Sequence, residues 1–182
     1  GVMLVPLNFR LVGPELEYQL NASDSELLIL GEEFQKVISK IRGNLKTVKN
    51  HIVLGNPGQG SDMVPYSEFL AGKSASQPTL TYSVDLDDEF IMIHTSGTTG
   101  RPKGAILTQK NILFTALNQI CDWKCTSDDI TLTSAPLFHA GGSLILTYPL
   151  LHIGGTVVLT KQFNPKLSLR LIEKEKVTIV FA

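Results

Sequence analysis

Cysteine is scarce in this chain, and a long apolar run is lacking. The two cysteines, Cys121 and Cys125, have no second pair and no histidine cluster beside them. We therefore predict reduced thiols in a cytoplasmic protein and no metal site within the chain. Because no apolar run reaches the roughly 20 residues of a membrane span, we predict no transmembrane segment, with peripheral membrane contact as the alternative location.

An excess of either charge sign is also lacking. The chain has 16 Lys and Arg residues against 17 Asp and Glu residues, for a net charge of -1. This balance does not indicate a nucleic-acid partner. Hydrophobic residues make up 43% of the 182 residues, so the chain can build the core of one large domain or two small ones.

Apolar strand-like runs alternate with helical patterns, which predicts an α/β fold with mainly parallel sheets flanked by helices. The predicted strands are residues 2–6, 26–30, 51–54, 90–94, 130–134, 156–159 and 177–182. The predicted helices are residues 13–22, 32–42, 111–123, 141–151 and 165–176. Thr108 and Asn164 precede two of these helices as predicted N-caps.

An acidic run at residues 85–89 follows a polar loop and predicts a boundary. On this interpretation, residues 1–84 and 85–182 are portions of two subdomains of one larger domain. The chain also begins and ends in apolar, strand-like runs, whereas natural termini are usually polar. We therefore expect it to be an internal slice of that larger domain.

The residues that carry chemistry lie between the strand predicted at 90–94 and the next helix. Residues 95–104 contain four hydroxyl side chains and three glycines, and successive N–H groups in such a turn form a nest that binds anions. No Asp or Glu occurs from Phe90 to Cys121, whereas Arg101, Lys103 and Lys110 do. The predicted phosphate-binding residues are Thr95, Ser96, Gly97, Thr98, Thr99, Gly100, Lys103 and Gly104. A flexible surface turn is the alternative.

Two common phosphate motifs do not account for this loop. The Walker pattern needs a second glycine directly before the lysine and a hydroxyl residue after it, but Pro102 and Gly104 occupy those positions. The dinucleotide pattern Gly-x-Gly-x-x-Gly is also absent from the loop.

Residues 95–104 do resemble the phosphate loop of the adenylate-forming superfamily, which includes acyl-CoA synthetases, beetle luciferases and peptide-synthetase adenylation domains. The resemblance implies that the loop binds the β- and γ-phosphates of ATP. Residues 136–142 resemble a segment of acyl-CoA and aryl-CoA synthetases in which a histidine lies near the carboxylate. It implies His139, Gly141 and Gly142 as substrate-binding residues. Gln109 departs from the pattern, because acyl-CoA synthetases commonly have histidine there.

The resemblance further implies an acid–thiol ligase that uses ATP, Mg²⁺ and coenzyme A to activate a carboxylic acid, with a fatty acid favoured over an aryl acid. The family motifs for adenine, ribose and the catalytic lysine do not occur in this chain. We therefore assign no catalytic residue and expect the 182-residue chain alone to form no acyl-AMP. An amino-acid adenylation domain and a non-catalytic phosphate-binding module are the alternatives.

Overall fold

A computed structural model of the chain describes residues 2–80, 82–95 and 100–181. These residues fall into two compact units. The N-terminal unit comprises the described part of residues 7–83 and 97–104. The C-terminal unit comprises the described part of residues 1–6, 84–96 and 105–182.

The N-terminal unit is a three-stranded parallel sheet with helices. Its elements are α1 (Gly13–Ala22), β1 (Leu27–Gly31), α2 (Gln35–Ile41), β2 (Asn50–Leu54), β3 (Val64–Pro65) and α3 (Tyr66–Leu70). Short 3₁₀ turns, Glu32–Phe34 and Arg42–Asn44, flank α2. The strand order is β1-β2-β3, and both pairs are parallel.

The core of the N-terminal unit forms where α1 and α2 meet the sheet. On α1, Leu16 and Leu20 are one helical turn apart and both are buried, so they form a stripe that faces the core. The buried core residues are Leu16, Leu20, Leu28, Leu30, Ile38, Ile41, Val53 and Met63.

The C-terminal unit holds a second three-stranded parallel sheet and most of a two-stranded sheet. Its elements are β4 (Glu89–Thr95), β5 (Lys103–Thr108), α4 (Gln109–Trp123), β6 (Ile130–Thr133), α5 (Ala140–Ser143), α6 (Thr147–Ile153), β7 (Thr156–Leu159), α7 (Pro165–Lys174) and β8 (Ile179–Val180). The parallel sheet has the order β7-β6-β8, and β4 pairs with β5. The predicted α/β class with mainly parallel sheets is confirmed.

Both predicted N-caps are present. The Thr108 hydroxyl accepts from the Asn111 N–H at 3.3 Å, and the Asn111 side chain accepts from the Thr108 N–H at 2.9 Å. Asn164 accepts from the Leu167 N–H at 3.0 Å. These local bonds satisfy N–H groups that have no partner within the first turn of a helix.

Several predicted elements were wrong in extent. Residues 2–6 form a single bridge, Leu4 opposite Ile91, instead of a strand. The helix predicted at 141–151 is two helices, α5 and α6, separated at residues 144–146. Elements β3 and β5 were not predicted, because they depend on pairing with β2 and β4, and α3 was missed because it has only five residues. Within the described ranges, no helix is both long and apolar enough to cross a membrane.

Candidate active site

Strand β4 leads directly into the predicted phosphate loop. Three successive side chains are buried, namely Ile91, Met92 and Ile93. The strand is therefore packed on both faces, which fixes the position of its C-terminal end. The strand ends at Thr95, the first residue of the predicted loop. Four of the predicted contact residues lie outside the described part of the chain, namely Ser96, Gly97, Thr98 and Thr99.

The loop is shorter than the ten residues predicted from the sequence. Thr95 belongs to β4, and Lys103 with Gly104 begins β5, so the prediction of an irregular segment over 95–104 was wrong at both ends. The physical reason is that β4 and β5 pair, which extends both strands toward the loop. The phosphate-binding role of these three residues stays a prediction.

Gly100 has a backbone conformation that other residues adopt only with strain. Its φ is +84°, in the left-handed region, while a Cβ atom added there would meet no heavy atom within 4 Å. The requirement for glycine therefore comes from the backbone conformation and not from crowding.

Residues 100–102, here called the loop stem, are attached to helix α1. The Tyr18 hydroxyl donates to the Pro102 carbonyl oxygen at 3.2 Å. The Arg101 guanidinium carbon lies 5.6 Å from the centroid of the Tyr18 ring, within the range of a cation–π contact. Sequence reasoning missed Tyr18, because its partner Pro102 lies 84 positions further along the chain.

The positive charge near the loop is smaller than the lack of acidic residues from Phe90 to Cys121 indicates. Lys110, one of its three cations, lies 3.8 Å from an Asp87 carboxylate oxygen, with both side chains exposed. This acid comes close because the Lys110 N–H donates to the Leu86 carbonyl at 2.7 Å. A contact of this kind contributes little stability, but it partly neutralises Lys110. Arg101 and Lys103 lie within residues 95–104 and stay the predicted cations of the loop.

His94 is the side chain next to the loop with a shifted pKa. Burial lowers the pKa of His94, and among the described residues its Nδ1 has no hydrogen-bond partner. Desolvation disfavours the charged imidazolium, so His94 is held in the neutral form at the end of β4.

Residues 136–142 form the second predicted site, here called the His139 turn. His139 is the N-cap of α5, and its Nδ1 accepts from the Gly141 N–H at 3.1 Å. Because Nδ1 acts as an acceptor, the proton of the neutral ring is on Nε2. A Cβ atom at Gly141 would lie 3.3 Å from His139 Nδ1, so glycine leaves room for this contact.

Gly142 is the most crowded residue of the His139 turn. A Cβ atom added there would overlap the Pro136 carbonyl oxygen and lie 2.6 Å from the Ala135 carbonyl oxygen. Real Cβ atoms do not approach backbone oxygens so closely, so no other residue fits without moving the turn.

Two buried hydroxyl groups hold the same turn in place through hydrogen bonds. The Thr147 hydroxyl donates to the Gly142 carbonyl at 2.6 Å and lies 2.9 Å from the Thr133 hydroxyl. Since the Thr147 proton is used on Gly142, Thr133 is the donor in the second bond. The pair connects the end of β6 to the His139 turn and to the start of α6.

A metal site was not predicted within this chain. Across the described ranges there is no group of three or more His, Cys, Asp or Glu side chains that could hold a metal ion. Cys121 and Cys125 are both free thiols.

Comparison with known proteins places these features in a family. The whole chain, residues 1–182, matches the family model described as AMP-binding enzyme. The chain is 37% identical over 182 residues to feruloyl-CoA synthase of Amycolatopsis sp, covering 100% of this chain and 33% of that protein. It is 35% identical over 179 residues to indoleacetate–CoA ligase of Aromatoleum aromaticum, covering 98% and 34%.

The fold comparison agrees with the sequence comparison. The inhibitor-bound N-terminal domain of FACL13 from Mycobacterium tuberculosis superposes with a TM-score of 0.83 at 29% identity, covering 98% of this chain and 42% of that one. The chain thus spans about a third of the length of the curated relatives above. On the match of its full length to the family model, the chain belongs to the AMP-binding enzyme family.

Proposed function

We propose that the whole protein is an ATP-dependent acid–thiol ligase and that this chain supplies its phosphate loop at residues 95–104. The observation that carries the proposal is the position of the loop, between the ends of β4 and β5, in a chain that matches the AMP-binding family throughout. The left-handed backbone of Gly100 and the cations Arg101 and Lys103 support it. Such a loop offers backbone N–H groups and positive charge to the β- and γ-phosphates.

The proposed reaction has two steps. A carboxylate oxygen attacks the α-phosphorus of ATP, the bond from that phosphorus to the bridging oxygen breaks, and pyrophosphate leaves with the electron pair. The sulfur of coenzyme A then attacks the acyl carbon, its proton is released, and AMP departs with the electrons of the C–O bond. Cations and N–H donors on the β/γ side stabilise the charge that pyrophosphate gains in the first step.

We propose His139, Gly141 and Gly142 as substrate-binding residues of this chain. With Nδ1 occupied by the Gly141 N–H, the neutral His139 ring presents its Nε2–H as a donor. A carboxylate or the acyl-adenylate carbonyl can accept that hydrogen bond. Mg²⁺ would neutralise phosphate charge when bound, and its proposed ligands belong to other parts of the protein.

The proposed substrate is a fatty or aryl carboxylic acid. Two relatives at 35–37% identity are named for ferulate and indoleacetate, both aromatic acids, which supports the aryl arm of the proposal. Among the described residues of the site, none favours an amino-acid substrate. We also propose that residues 1–84 and 85–182 are portions of two subdomains of one larger domain, and that the protein works in the cytoplasm.

The test is a substrate panel with the whole protein, ATP, coenzyme A and one acid at a time. The panel contains a hydroxycinnamic acid, an aryl acetic acid, a long-chain fatty acid and a mixture of amino acids. We expect acyl-CoA and AMP from an aryl or fatty acid. AMP formation with amino acids alone would support the adenylation-domain alternative, and ATP binding without turnover of any acid would support the binding-module alternative.

A further inference from the structure

Tyr18 makes two directional contacts with the loop stem and is not part of the hydrophobic core. On α1, Leu16 and Leu20 point into the core of the N-terminal unit, and Tyr18 lies between them in sequence. At 100° per residue, Tyr18 is about 160–200° from both leucines, on the opposite face of the helix. It is nevertheless half-buried. Its surroundings on that face include Arg101 and Pro102, 83 and 84 positions further along the chain.

The two contacts act on different atoms of the stem. The phenol hydroxyl holds the backbone by donating to the Pro102 carbonyl at 3.2 Å, and the ring face holds the Arg101 side chain at 5.6 Å. Proline fixes its own φ, and Gly100 before it requires a left-handed φ of +84°. The fixed φ of Pro102 and the hydrogen bond to its carbonyl oxygen leave the stem with fewer conformations than an unattached loop.

We propose that Tyr18 is a positioning residue that anchors the phosphate loop, which deepens and rests on the function proposed above. Held this way, the stem is ordered before ATP arrives, so less conformational entropy is lost on binding. The same contact directs the Arg101 guanidinium along the ring face. In this role Tyr18 acts through the stem, with its hydroxyl on Pro102 and its ring against Arg101.

The experiment compares Tyr18→Phe and Tyr18→Leu in the whole protein, with Tyr66→Leu as the matched control. Phenylalanine keeps the ring and removes the hydroxyl, whereas leucine removes both contacts. Tyr66 begins α3 in the same unit and is 39% exposed, so its replacement reports the general effect of losing a tyrosine. Steady-state KM values for ATP, acid and coenzyme A are measured for each variant, together with the thermal midpoint.

We expect Tyr18→Phe to raise the KM for ATP about two- to fivefold and Tyr18→Leu about tenfold, the range that one or two lost contacts produce. The KM values for the acid and coenzyme A should stay unchanged, as should all three in Tyr66→Leu. A purely structural role for Tyr18 would instead lower the thermal midpoint and the active fraction and leave every KM alone, and that result would overturn the proposal.

A second set of variants tests the proposed function independently of the Tyr18 proposal. If Lys103→Ala raises the KM for ATP and neither Tyr18 variant does, the loop binds phosphate and the Tyr18 anchor is wrong. If Lys103→Ala and Gly100→Val also leave ATP use intact, the phosphate-loop assignment itself is wrong.

A double variant tests the ring contact. In Tyr18→Leu with Arg101→Gln, the KM for ATP should rise by less than the product of the two single increases, because both substitutions act through one contact. Fully multiplicative losses would contradict the ring contact.

Discussion

The loop stem and the His139 turn are held in place by opposite means. The stem is attached through one part-buried hydrogen bond and one exposed cation–π contact, both from Tyr18, and its glycine has open space around it. The turn is held by two buried hydroxyls and by a glycine with backbone oxygens where a Cβ would be. Weak, exposed contacts permit small rearrangements, whereas close packing does not.

This difference suits the two proposed tasks. A loop that receives a polyphosphate has to admit the ligand and release pyrophosphate, so a modest anchor orders it without freezing it. A histidine that donates to a carboxylate has to keep one orientation, so a rigid turn beneath it is an advantage. Substitutions at the turn should therefore damage the fold, and substitutions at the stem should damage ATP use.

The largest loss of stability is expected for Gly142→Ala. Its Cβ would overlap the Pro136 carbonyl oxygen, which belongs to the backbone and cannot rotate away. We expect a loss of about 3 kcal/mol or more in the free energy of unfolding. Gly43→Ala is the control, since nothing lies within 4 Å of its added Cβ, and it should change stability by less than about 1 kcal/mol. Equal unfolding midpoints for the two variants would contradict the crowding argument.

A smaller loss is expected for Thr147→Val. Valine keeps the shape but leaves the buried Gly142 carbonyl and Thr133 hydroxyl without their partner. Leaving buried polar groups unsatisfied costs about 1–3 kcal/mol, so the variant should lose about that much and exchange its amide hydrogens faster at residues 139–147. Thr147→Ser retains the hydroxyl and should lose about 1 kcal/mol. Greater damage from serine than from valine would show that packing, not hydrogen bonding, holds the turn.

Gly100→Ala should lower stability only slightly. The added methyl group meets no neighbour, so the cost is that of a left-handed φ for alanine, about 1–2 kcal/mol. The comparison with Gly142→Ala is direct, since both variants add one methyl group to a glycine. Thermal unfolding of the pair ranks them. A larger loss at Gly100 would reverse the contrast between the stem and the turn.

The smallest effect concerns Asp129, which joins the starts of β6 and β8. Its carboxylate accepts from the Thr178 hydroxyl at 2.7 Å and from the Thr126 N–H at 2.7 Å. The Thr178 hydrogen bond, followed by the Thr126 backbone bond, lowers the pKa of Asp129. A lowered pKa in the folded state means that the stabilisation is present above the unfolded value of about 3.9 and is lost as the pH falls through the folded value.

Asp129→Asn is the corresponding test. At neutral pH it should cost no more than about 1 kcal/mol, because water competes for an exposed carboxylate. The difference between the variant and the parent should disappear once the pH falls below the lowered pKa of the carboxylate. Urea unfolding at pH 7 and at a series of lower pH values measures it. A difference that grows on acidification would contradict the assigned direction of the pKa.

The sequence predicts the local features of this fold well. The caps at Thr108 and Asn164 depend on neighbouring residues, and the parallel class follows from the alternation of strands and helices. The break between α5 and α6 was missed, because it depends on the Thr147 hydroxyl reaching back to Gly142 and Thr133 beneath the turn. Apolar periodicity over residues 141–151 contains no information about that hydrogen bond.

The same distinction applies to the candidate site. The loop and the His139 turn can be found from contiguous residues, whereas Tyr18 is 84 positions from the carbonyl that it binds. The contact between Asp87 and Lys110 was missed for a similar reason, because the hydrogen bond from the Lys110 N–H to the Leu86 carbonyl brings the two side chains together. Contacts between distant segments determine how strongly the stem is held and how much charge surrounds it, and local patterns do not record them.

The most direct test of the central claim is acid-dependent ATP–pyrophosphate exchange by the whole protein with substitutions in the loop. Gly100→Val should cause the largest loss, since a β-branched residue is excluded from a φ of +84°. Lys103→Ala should lose about ten- to hundredfold, the value of one charge-assisted hydrogen bond, and Thr98→Val or Thr99→Val should lose least. Full exchange activity in both the Gly100 and Lys103 variants would show that residues 95–104 are a surface turn and would contradict the phosphate-loop assignment.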